Sequence, residues 1–296
     1  MEISEIISIF AFLNQSLLAV RMKLYTEHRT RVNTRRQKWL WWSLALFAVL
    51  GYLGYQAYLF VDREFLVAEE LPFNDVSPRI VDDTLRVAVI GDSWAEFHHT
   101  FGCDTLMEQY GRRLIPKPVK CQSRGKGGAL SKEVYQLCKQ SLQEVRPDYC
   151  VVMAGINDTW KKRPVSYYTG NYRLIIRLLL HSHIRPVVME IPDFEMGEWL
   201  DANRKRQRRL YRIYSYFTGV VADDITPFRN GLKKMLEDTG LGDSVLFIPA
   251  NHWLPADHQY SEEIYQIDHV HLNRQGYHLL DSCIASEIIN DCQKKR

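Results

Sequence analysis

The regular alternation of short β-branched runs with longer helical patterns, which begins near Leu85, constrains the fold more than any other feature of the sequence. Strands alternating with helices predict an α/β fold, in which a five-stranded parallel sheet lies between two layers of helices. Binding and catalytic sites in such sheets form at the carboxyl ends of the strands. The predicted strands are residues 85–90, 119–122, 149–153, 186–190 and 245–248, and the predicted helices lie near 94–113, 131–145, 165–182, 202–217 and 274–290.

An uncharged segment, residues 39–60, lies well before the first predicted strand. Its 22 residues would form a helix of roughly 33 Å at about 1.5 Å per residue, which matches the hydrocarbon thickness of a bilayer. Tryptophans at its start and tyrosines towards its end are typical of rings at membrane interfaces. We therefore expect a transmembrane helix over residues 39–60, with a cleaved signal peptide as the alternative.

The uncharged segment divides the chain into four predicted parts. Residues 1–38 form a basic segment that the positive-inside rule places in the cytoplasm, before the span at 39–60. Residues 61–84 are polar and punctuated by proline, as expected of a linker, and residues 85–296 form one globular domain. We expect a single-pass membrane protein whose domain is periplasmic or otherwise extracytoplasmic. Whether the chain starts at Met1 or Met22 stays open.

The charge balance excludes one class of partner. A formal net charge of +3 is too small for a protein that binds nucleic acid through a basic face. The strongest basic run, residues 203–209, is typical of a solvated helix face. A patch that meets anionic polysaccharide or lipid headgroups is the alternative for this run.

All six cysteines follow the uncharged segment, in the part of the chain predicted to lie outside the membrane. Disulfides are allowed there, and Cys103–Cys121 and Cys283–Cys292 are the first pairings to consider, although the sequence leaves the pairing open. No C-x-x-C spacing occurs, so the cysteines do not form the pattern of a zinc knuckle.

The first predicted strand leads directly into Gly91-Asp92-Ser93-Trp94 and then into a helical pattern. A serine at a strand-to-helix turn can expose its hydroxyl at the edge of the sheet. Its backbone N–H then points to where an oxyanion would form, and the helix dipole favours that charge. An ordinary helix cap is the alternative for this motif.

Two later loops offer further hydrogen-bond donors. The second strand leads into residues 123–129, where Gly125, Gly127 and Gly128 allow the backbone to approach a ligand closely. The third strand is followed by Asn157, whose side-chain amide can stabilise an oxyanion. The alternatives are a structural turn for the glycines and a helix cap for the asparagine.

A histidine and an aspartate lie three residues apart before the last helical pattern. Asp268 can accept a hydrogen bond from the Nδ1–H of His271, which leaves Nε2 free to take a proton from a serine. One loop therefore supplies both a general base and the group that orients it.

The order and types of these motifs resemble those of the SGNH/GDSL hydrolase family over residues of about 85 to 290. Gly91-Asp92-Ser93 is similar to the first block of that family and Gly128 to the second. The segment 155–158 is similar to the third block, and Asp268-x-x-His271 to the fifth. The resemblance implies a flavodoxin-like, three-layer α/β/α sandwich.

The resemblance also implies roles for individual residues. Ser93 would be the nucleophile, His271 the general base and Asp268 its orienting group. The oxyanion hole would consist of the N–H groups of Ser93 and Gly128 and the side chain of Asn157. Trp94, His98, Asp158 and Trp160 are also predicted to contact the substrate.

We expect a serine esterase that hydrolyses O-acyl esters, in particular O-acetyl esters, on cell-envelope polysaccharide through an acyl-serine intermediate, without a cofactor or metal. The expected partners are an acylated carbohydrate or a lipid ester and, through one N-terminal helix, the membrane. An O-acetyltransferase of envelope glycans is an alternative if a sugar hydroxyl replaces water. A lipase or lysophospholipase is another, because of the anchor and the aromatic residues near the site.

Three further alternatives fit the sequence less well. An α/β-hydrolase would need a second glycine where Ala95 stands. A metal enzyme could use the histidine pairs at 98–99, 181–183 and 269–271, but no acidic partner has suitable spacing. A membrane-tethered binding protein without catalytic activity would not need all the catalytic residue types that the sequence contains.

Overall fold

The computed structural model describes residues 17–25, 37–54, 68, 82–144, 146–161, 163–194, 225–254 and 262–294. The chain forms two compact units, residues 1–64 and 65–296. In the first unit, residues 17–25 and 37–54 are helical. The second unit contains every strand that the structure describes.

The second unit alternates strands and helices along the chain. Its strands are β1 (Leu85–Gly91), β2 (Val119–Gly125), β3 (Tyr149–Met153), β4 (Arg185–Met189) and β5 (Leu246–Ile248). Its α-helices are α1 (Ser93–Thr100), α2 (Cys103–Leu114), α3 (Ser131–Glu144), α4 (Ile156–Trp160), α5 (Val165–His181), α6 (Thr226–Asp238) and α7 (Arg274–Lys294).

The five strands form one parallel sheet in the order β2-β1-β3-β4-β5. β3 lies at its centre and is buried along its whole length, which explains its uninterrupted apolar sequence. The order reverses between β1 and β3, because the chain leaves β1 in one direction and later returns to its other side. The crevice at this reversal is where sheets of this kind bind ligands.

The helices fall into two groups by their contacts. α2 packs against α7, while α3 packs against α5 and α5 against α6. Right-handed crossovers place these two groups on opposite faces of the sheet. The predicted α/β fold with a five-stranded parallel sheet is therefore confirmed.

Several predicted helices differ from the observed ones. The helix predicted near 94–113 is two helices, α1 and α2, separated by Gly102, which has a φ of 70°. Two helices were not predicted, α4 and α6. The helix predicted near 202–217 and the basic run at 203–209 lie outside the described residues.

The predicted transmembrane helix is not confirmed. Within the described part of the chain, no helix is both long enough and apolar enough to cross a membrane. Of the predicted span, residues 39–54 are helical and residues 55–60 lie outside the described part. Most of the predicted linker at 61–84 also lies outside it.

The two suggested disulfides are not formed, because all six thiols are free. Cys283 and Cys292 lie nine residues apart on α7, so they are separated by roughly 13 Å along the helix axis. A disulfide requires Cα atoms no more than about 7 Å apart, which excludes this pairing in the folded domain.

Gly91 should not tolerate a side chain. A Cβ atom at this position would lie 2.1 Å from the carbonyl oxygen of Met153 on the neighbouring strand. We expect Gly91→Ala to lower the free energy of unfolding by at least about 1–3 kcal/mol, because backbone of β1 or β3 must move. Thermal denaturation measures this change. Gly242→Ala, where the Cβ meets open space, is the matched control, and equal melting temperatures for the two variants would contradict the prediction.

Candidate active site

The candidate site lies at the carboxyl ends of β1 and β3, where the strand order reverses. Gly91 ends β1 opposite Met153, which ends β3. Ser93 follows β1 as the first residue of α1, and Asn157 follows β3 within α4. The sheet topology therefore places the two side chains at neighbouring strand ends.

The structure brings Ser93, His271 and Asp268 together in one hydrogen-bonded chain. Ser93 Oγ lies 2.9 Å from His271 Nε2, although 178 residues separate them in sequence. His271 Nδ1 lies 2.6 Å from Asp268 Oδ2 on the opposite side of the ring. This geometry allows the imidazole to accept the serine proton while the carboxylate holds the ring in place.

A tight turn fixes the position of Asp268. Its Oδ1 accepts hydrogen bonds from the backbone N–H groups of Val270 and His271, at 3.0 and 2.9 Å. Partial burial acts to raise the pKa of Asp268, but hydrogen bonds from the His271 side chain and from both N–H groups lower it below its ordinary value. The group beside the imidazole is therefore an ionised carboxylate. Within this turn His269 adopts a left-handed conformation, with a φ of 54°.

Two aromatic residues of α1 hold the helix against the histidine turn. The ring of Phe97 meets the ring of His271 edge to face, with centroids 4.8 Å apart. The indole Nε1–H of Trp94 donates to the carbonyl oxygen of Val270 at 3.1 Å. These contacts fix the separation between Ser93 and His271.

Three residues that carry potential oxyanion donors line one cavity: Ser93 and Gly128 with their backbone N–H groups and Asn157 with its side-chain amide. Gly128 has a φ of 71°, which favours glycine, and its carbonyl oxygen accepts from Lys161 Nζ at 2.9 Å. Asn157 is half-buried, and its Nδ2 lies 3.4 Å from Asp92 Oδ2.

A surface cavity of about 350 Å³ opens over these groups. Ser93, His271, Gly128 and Asn157 line it together. Its apolar wall is formed by Phe97, Ile156, Trp160 and Val270. The cavity therefore places an acyl-sized apolar surface beside a hydroxyl, an imidazole and several donors.

A family model described as the GDSL-like lipase/acylhydrolase family matches residues 89–279, more than half of the chain. The chain belongs to this GDSL-like family. It is therefore an enzyme that hydrolyses ester bonds. No curated protein matches the sequence of this GDSL-like hydrolase.

Solved structures share the fold of this GDSL-like hydrolase. An acetyl xylan esterase is 20% identical, with a TM-score of 0.52 over 69% of this chain and 100% of its own. A psychrotrophic esterase from Pseudoalteromonas sp. is 15% identical, with a TM-score of 0.50 over 72% of this chain and 100% of its own. At these identities the likeness establishes the fold.

Three of the four predicted substrate contacts do not lie in the cavity of the hydrolase. Trp94 is 3% exposed and packs edge to face against Trp253, and His98 and Asp158 are fully buried. Trp94 and His98 point inward because they lie one turn apart on α1, on the face opposite the solvent. Only Trp160 lines the cavity, where it is half-buried.

Asp158 connects the two loops that carry the donors. Its carboxylate accepts from the backbone N–H of Ser131 at 2.9 Å and from the Ser131 hydroxyl at 2.6 Å. Ser131 begins α3, immediately after the Gly128 loop. Burial raises the pKa of Asp158 to about 6, which the Ser131 hydrogen bonds partly oppose. Asp158 therefore has a structural role, because its carboxylate ties the start of α3 to α4.

Four residues that line the cavity were not predicted to do so: Glu96, Phe97, Ile156 and Val270. Asp92, the residue before Ser93, also had no predicted role, and it is 1% exposed. Burial raises the pKa of Asp92 to about 7. The signal for Phe97 was available, because a residue four positions after Ser93 lies on the same face of a helix.

His98 belongs to a buried polar cluster behind α1. Its Nε2 lies 2.9 Å from Asp281 Oδ1, and its Nδ1 lies 2.6 Å from the hydroxyl oxygen of Ser123, which also contacts Asp104. Burial would lower the pKa of His98, but the charge of Asp281 and hydrogen bonds to Asp104 and Asp281 raise it to about 9. Burial also raises the pKa of Asp281, although the charge of His98 opposes that rise. The raised pKa of His98 favours its protonated form.

Cys103 also approaches this cluster, so that one atom each of His98, Cys103 and Asp281 lie within 4.8 Å of one another. The separation of 2.9 Å between His98 Nε2 and Asp281 Oδ1 is that of a hydrogen bond. Two ligands of a tetrahedral zinc ion, with bonds of about 2.0–2.1 Å, would lie roughly 3.3 Å apart. The cluster has the geometry of an ion pair.

The His98–Asp281 pair should stabilise the domain in a pH-dependent way. The pKa of about 9 in the folded protein lies above the unfolded value of about 6.5. The stabilisation is therefore complete below about pH 6.5 and is lost as the pH rises towards 9. Denaturant unfolding between pH 6 and 9 measures this dependence.

Two variants provide the control for this pair. We expect His98→Leu to lower the free energy of unfolding by about 3–5 kcal/mol, because it leaves a buried carboxylate unpaired. Adding Asp281→Leu should recover most of that loss and remove this part of the pH dependence. If the free energy of unfolding of the double variant still changes between about pH 6.5 and 9 as steeply as that of the wild type, other groups cause the pH dependence.

Proposed function

We propose that the chain is a serine esterase that removes short O-acyl groups, in particular O-acetyl groups, from cell-envelope polysaccharide. Ser93 is the nucleophile, His271 the general base and Asp268 its orienting group. The observation that carries the proposal is the hydrogen-bonded chain from Ser93 Oγ through His271 to Asp268, at 2.9 and 2.6 Å, in the wall of a cavity.

In the first step, Ser93 Oγ attacks the ester carbonyl carbon while His271 Nε2 accepts the hydroxyl proton. The carbonyl oxygen becomes an oxyanion, and the N–H groups of Ser93 and Gly128 and the Asn157 amide stabilise it. The position of Ser93 at the N-terminus of α1 adds the positive end of the helix dipole. His271 then protonates the leaving alcohol, and an acyl-serine remains.

In the second step, water attacks the acyl-serine while His271 accepts its proton. The bond between the acyl carbon and Ser93 Oγ breaks, and His271 returns the proton to the serine. Asp268 stabilises the imidazolium in both steps, because its carboxylate stays ionised beside Nδ1. No further group is needed for a complete cycle.

The shape of the cavity supports a short acyl group. Its volume of about 350 Å³ lies near the lower end of the roughly 300–1,000 Å³ typical of small-molecule sites. Part of this space must also hold the alcohol portion of the ester. The wall of Phe97, Ile156, Trp160 and Val270 suits a small apolar group, and an acetyl xylan esterase shares the fold.

A membrane location remains part of the proposal, with the N-terminus in the cytoplasm and the domain periplasmic or otherwise extracytoplasmic. Its support is the basic segment before residues 39–60 and the absence of charge within them. Within the described helix at 37–54, large apolar side chains such as Trp41, Phe47 and Leu50 are exposed. Envelope polysaccharide as the substrate rests on this location.

Ser93→Ala should abolish the esterase activity. We expect kcat/KM for an activated acetyl ester to fall by at least about 10³-fold, because alanine has no hydroxyl to attack the ester carbonyl. A fluorophosphonate probe should label the wild type at Ser93 and leave the variant unlabelled. Ser286→Ala, an exposed serine on α7, is the matched control and should keep both labelling and activity. Full activity of Ser93→Ala would end the assignment.

The acyl-chain preference distinguishes an acetyl esterase from a lipase. We expect kcat/KM for acetyl esters to exceed that for palmitoyl esters of the same alcohol by at least about tenfold, because a long chain does not fit the cavity. Acetate release from acetylated polysaccharide should accompany this preference. A preference for palmitoyl esters would favour the lipase or lysophospholipase alternative, and acetate transfer to a sugar hydroxyl would favour the transferase.

Membrane attachment can be tested with the full chain. We expect the protein to resist alkaline extraction from membranes, and Leu46→Arg combined with Val49→Arg to release it, because arginine near the middle of a span is unfavourable by about 2.5–3.5 kcal/mol per residue. Leu46→Ile combined with Val49→Leu is the apolar control. Extraction of the wild type into the soluble fraction would contradict the anchor.

A further inference from the structure

Asp92 lies directly before the nucleophile, and the catalytic steps described above do not use it. Its side chain is 1% exposed. Burial of a carboxylate is unfavourable unless its oxygens receive hydrogen bonds. The two oxygens of Asp92 receive them from two different elements.

One oxygen stabilises the start of α1. Asp92 Oδ1 accepts from the backbone N–H of Trp94 at 3.0 Å, as an N-cap residue does. A serine at this position could make the same hydrogen bond. The cap alone therefore does not require a carboxylate.

The second oxygen contacts the donor from the neighbouring strand. Asp92 Oδ2 accepts from Asn157 Nδ2 at 3.4 Å. The backbone keeps the two residues together, because the Asp92 N–H donates to the carbonyl oxygen of Met153 at 2.9 Å, at the end of β3. The contact is therefore set by the pairing of β1 with β3.

The chemistry of the two groups gives this contact a direction. A carboxylate only accepts hydrogen bonds, whereas an asparagine amide carries an NH₂ donor on one side and a carbonyl acceptor on the other. Asp92 therefore favours the rotamer of Asn157 that presents its nitrogen. Rotation of the amide by 180° would turn the carbonyl oxygen of Asn157 towards the carboxylate. The partial negative charge of that oxygen and the negative charge of the carboxylate would then repel each other.

We propose that Asp92 is a positioning residue that orients the Asn157 amide so that its second N–H faces the oxyanion. The inference rests on the proposed function, because it requires an oxyanion at Ser93. Because Asp92 sets the orientation of the Asn157 amide before the substrate binds, the amide does not have to rotate during the attack. Donors fixed in this way contribute most to stabilisation of the transition state.

Asp92→Asn tests the orientation directly. The new amide can still cap α1 through its oxygen, but its NH₂ group then faces the NH₂ group of Asn157. Asn157 must rotate to avoid two opposed donors, and its carbonyl oxygen then faces the oxyanion. At pH 8.5, where the carboxyl of the wild type is ionised, we expect kcat to fall by about 10²–10³-fold with KM changed less than about threefold.

A double-mutant cycle with Asn157→Ala separates orientation from helix capping. If Asp92 acts through the amide, Asp92→Asn should lower kcat by less than about threefold once Asn157 is alanine. Asp92→Ser, which keeps an N-cap oxygen but is too short to reach Asn157, should lower kcat in the wild-type background while the melting temperature stays close to that of the wild type. An alkyl boronic acid, which forms a tetrahedral adduct with Ser93, should lose affinity in parallel with kcat in each variant.

Two outcomes would overturn the inference. The first is an equal loss of kcat on Asp92→Asn in the wild-type and Asn157→Ala backgrounds, which would make Asp92 a helix cap only. The second is wild-type kcat for Asp92→Asn and Asp92→Ser. In either case, inactivity of Ser93→Ala would leave the esterase assignment standing, whereas activity of Ser93→Ala would remove the esterase assignment itself.

Discussion

The geometry of the site depends on one contact between distant parts of the chain, the hydrogen bond from the Trp94 indole to the carbonyl oxygen of Val270. A second bond, from the Tyr277 hydroxyl to the carbonyl oxygen of Trp94, ties the same residue to α7 at 2.6 Å. Both bonds are buried, so water does not compete for them. Because α1 is held from two sides, Ser93 stays within reach of His271.

The strands could be predicted from the sequence more accurately than the helices. β3 matches its prediction at residues 149–153, because a strand buried on both faces is an uninterrupted apolar run. The break between α1 and α2 was missed, since a glycine such as Gly102 is also tolerated inside a helix. α6 begins with Thr226-Pro227, and a proline in the first turn is a recognised helix-start signal. That signal could have revealed the helix.

The reactive groups could be predicted because their residue types and order are restrictive, and the structure brings Ser93, Asp268 and His271 into hydrogen-bond contact. The surroundings could not be predicted in the same way. Proximity to Ser93 in sequence suggested that Trp94 and His98 meet the substrate, but the rotation of α1 against the sheet turns both inward. That rotation follows from tertiary packing, which short-range spacing does not reveal.

Because Asp268 and His271 lie in one four-residue turn, the rest of the molecule has fewer long-range distances to maintain. Base and orienting group share a local frame, since Asp268 also accepts from the backbone N–H of His271. Any displacement of the turn carries both groups together and leaves their mutual alignment intact. The distance between α1 and the turn is then the one long-range separation that the intervening chain must preserve. Insertions and deletions between them are tolerable wherever they leave that separation unchanged.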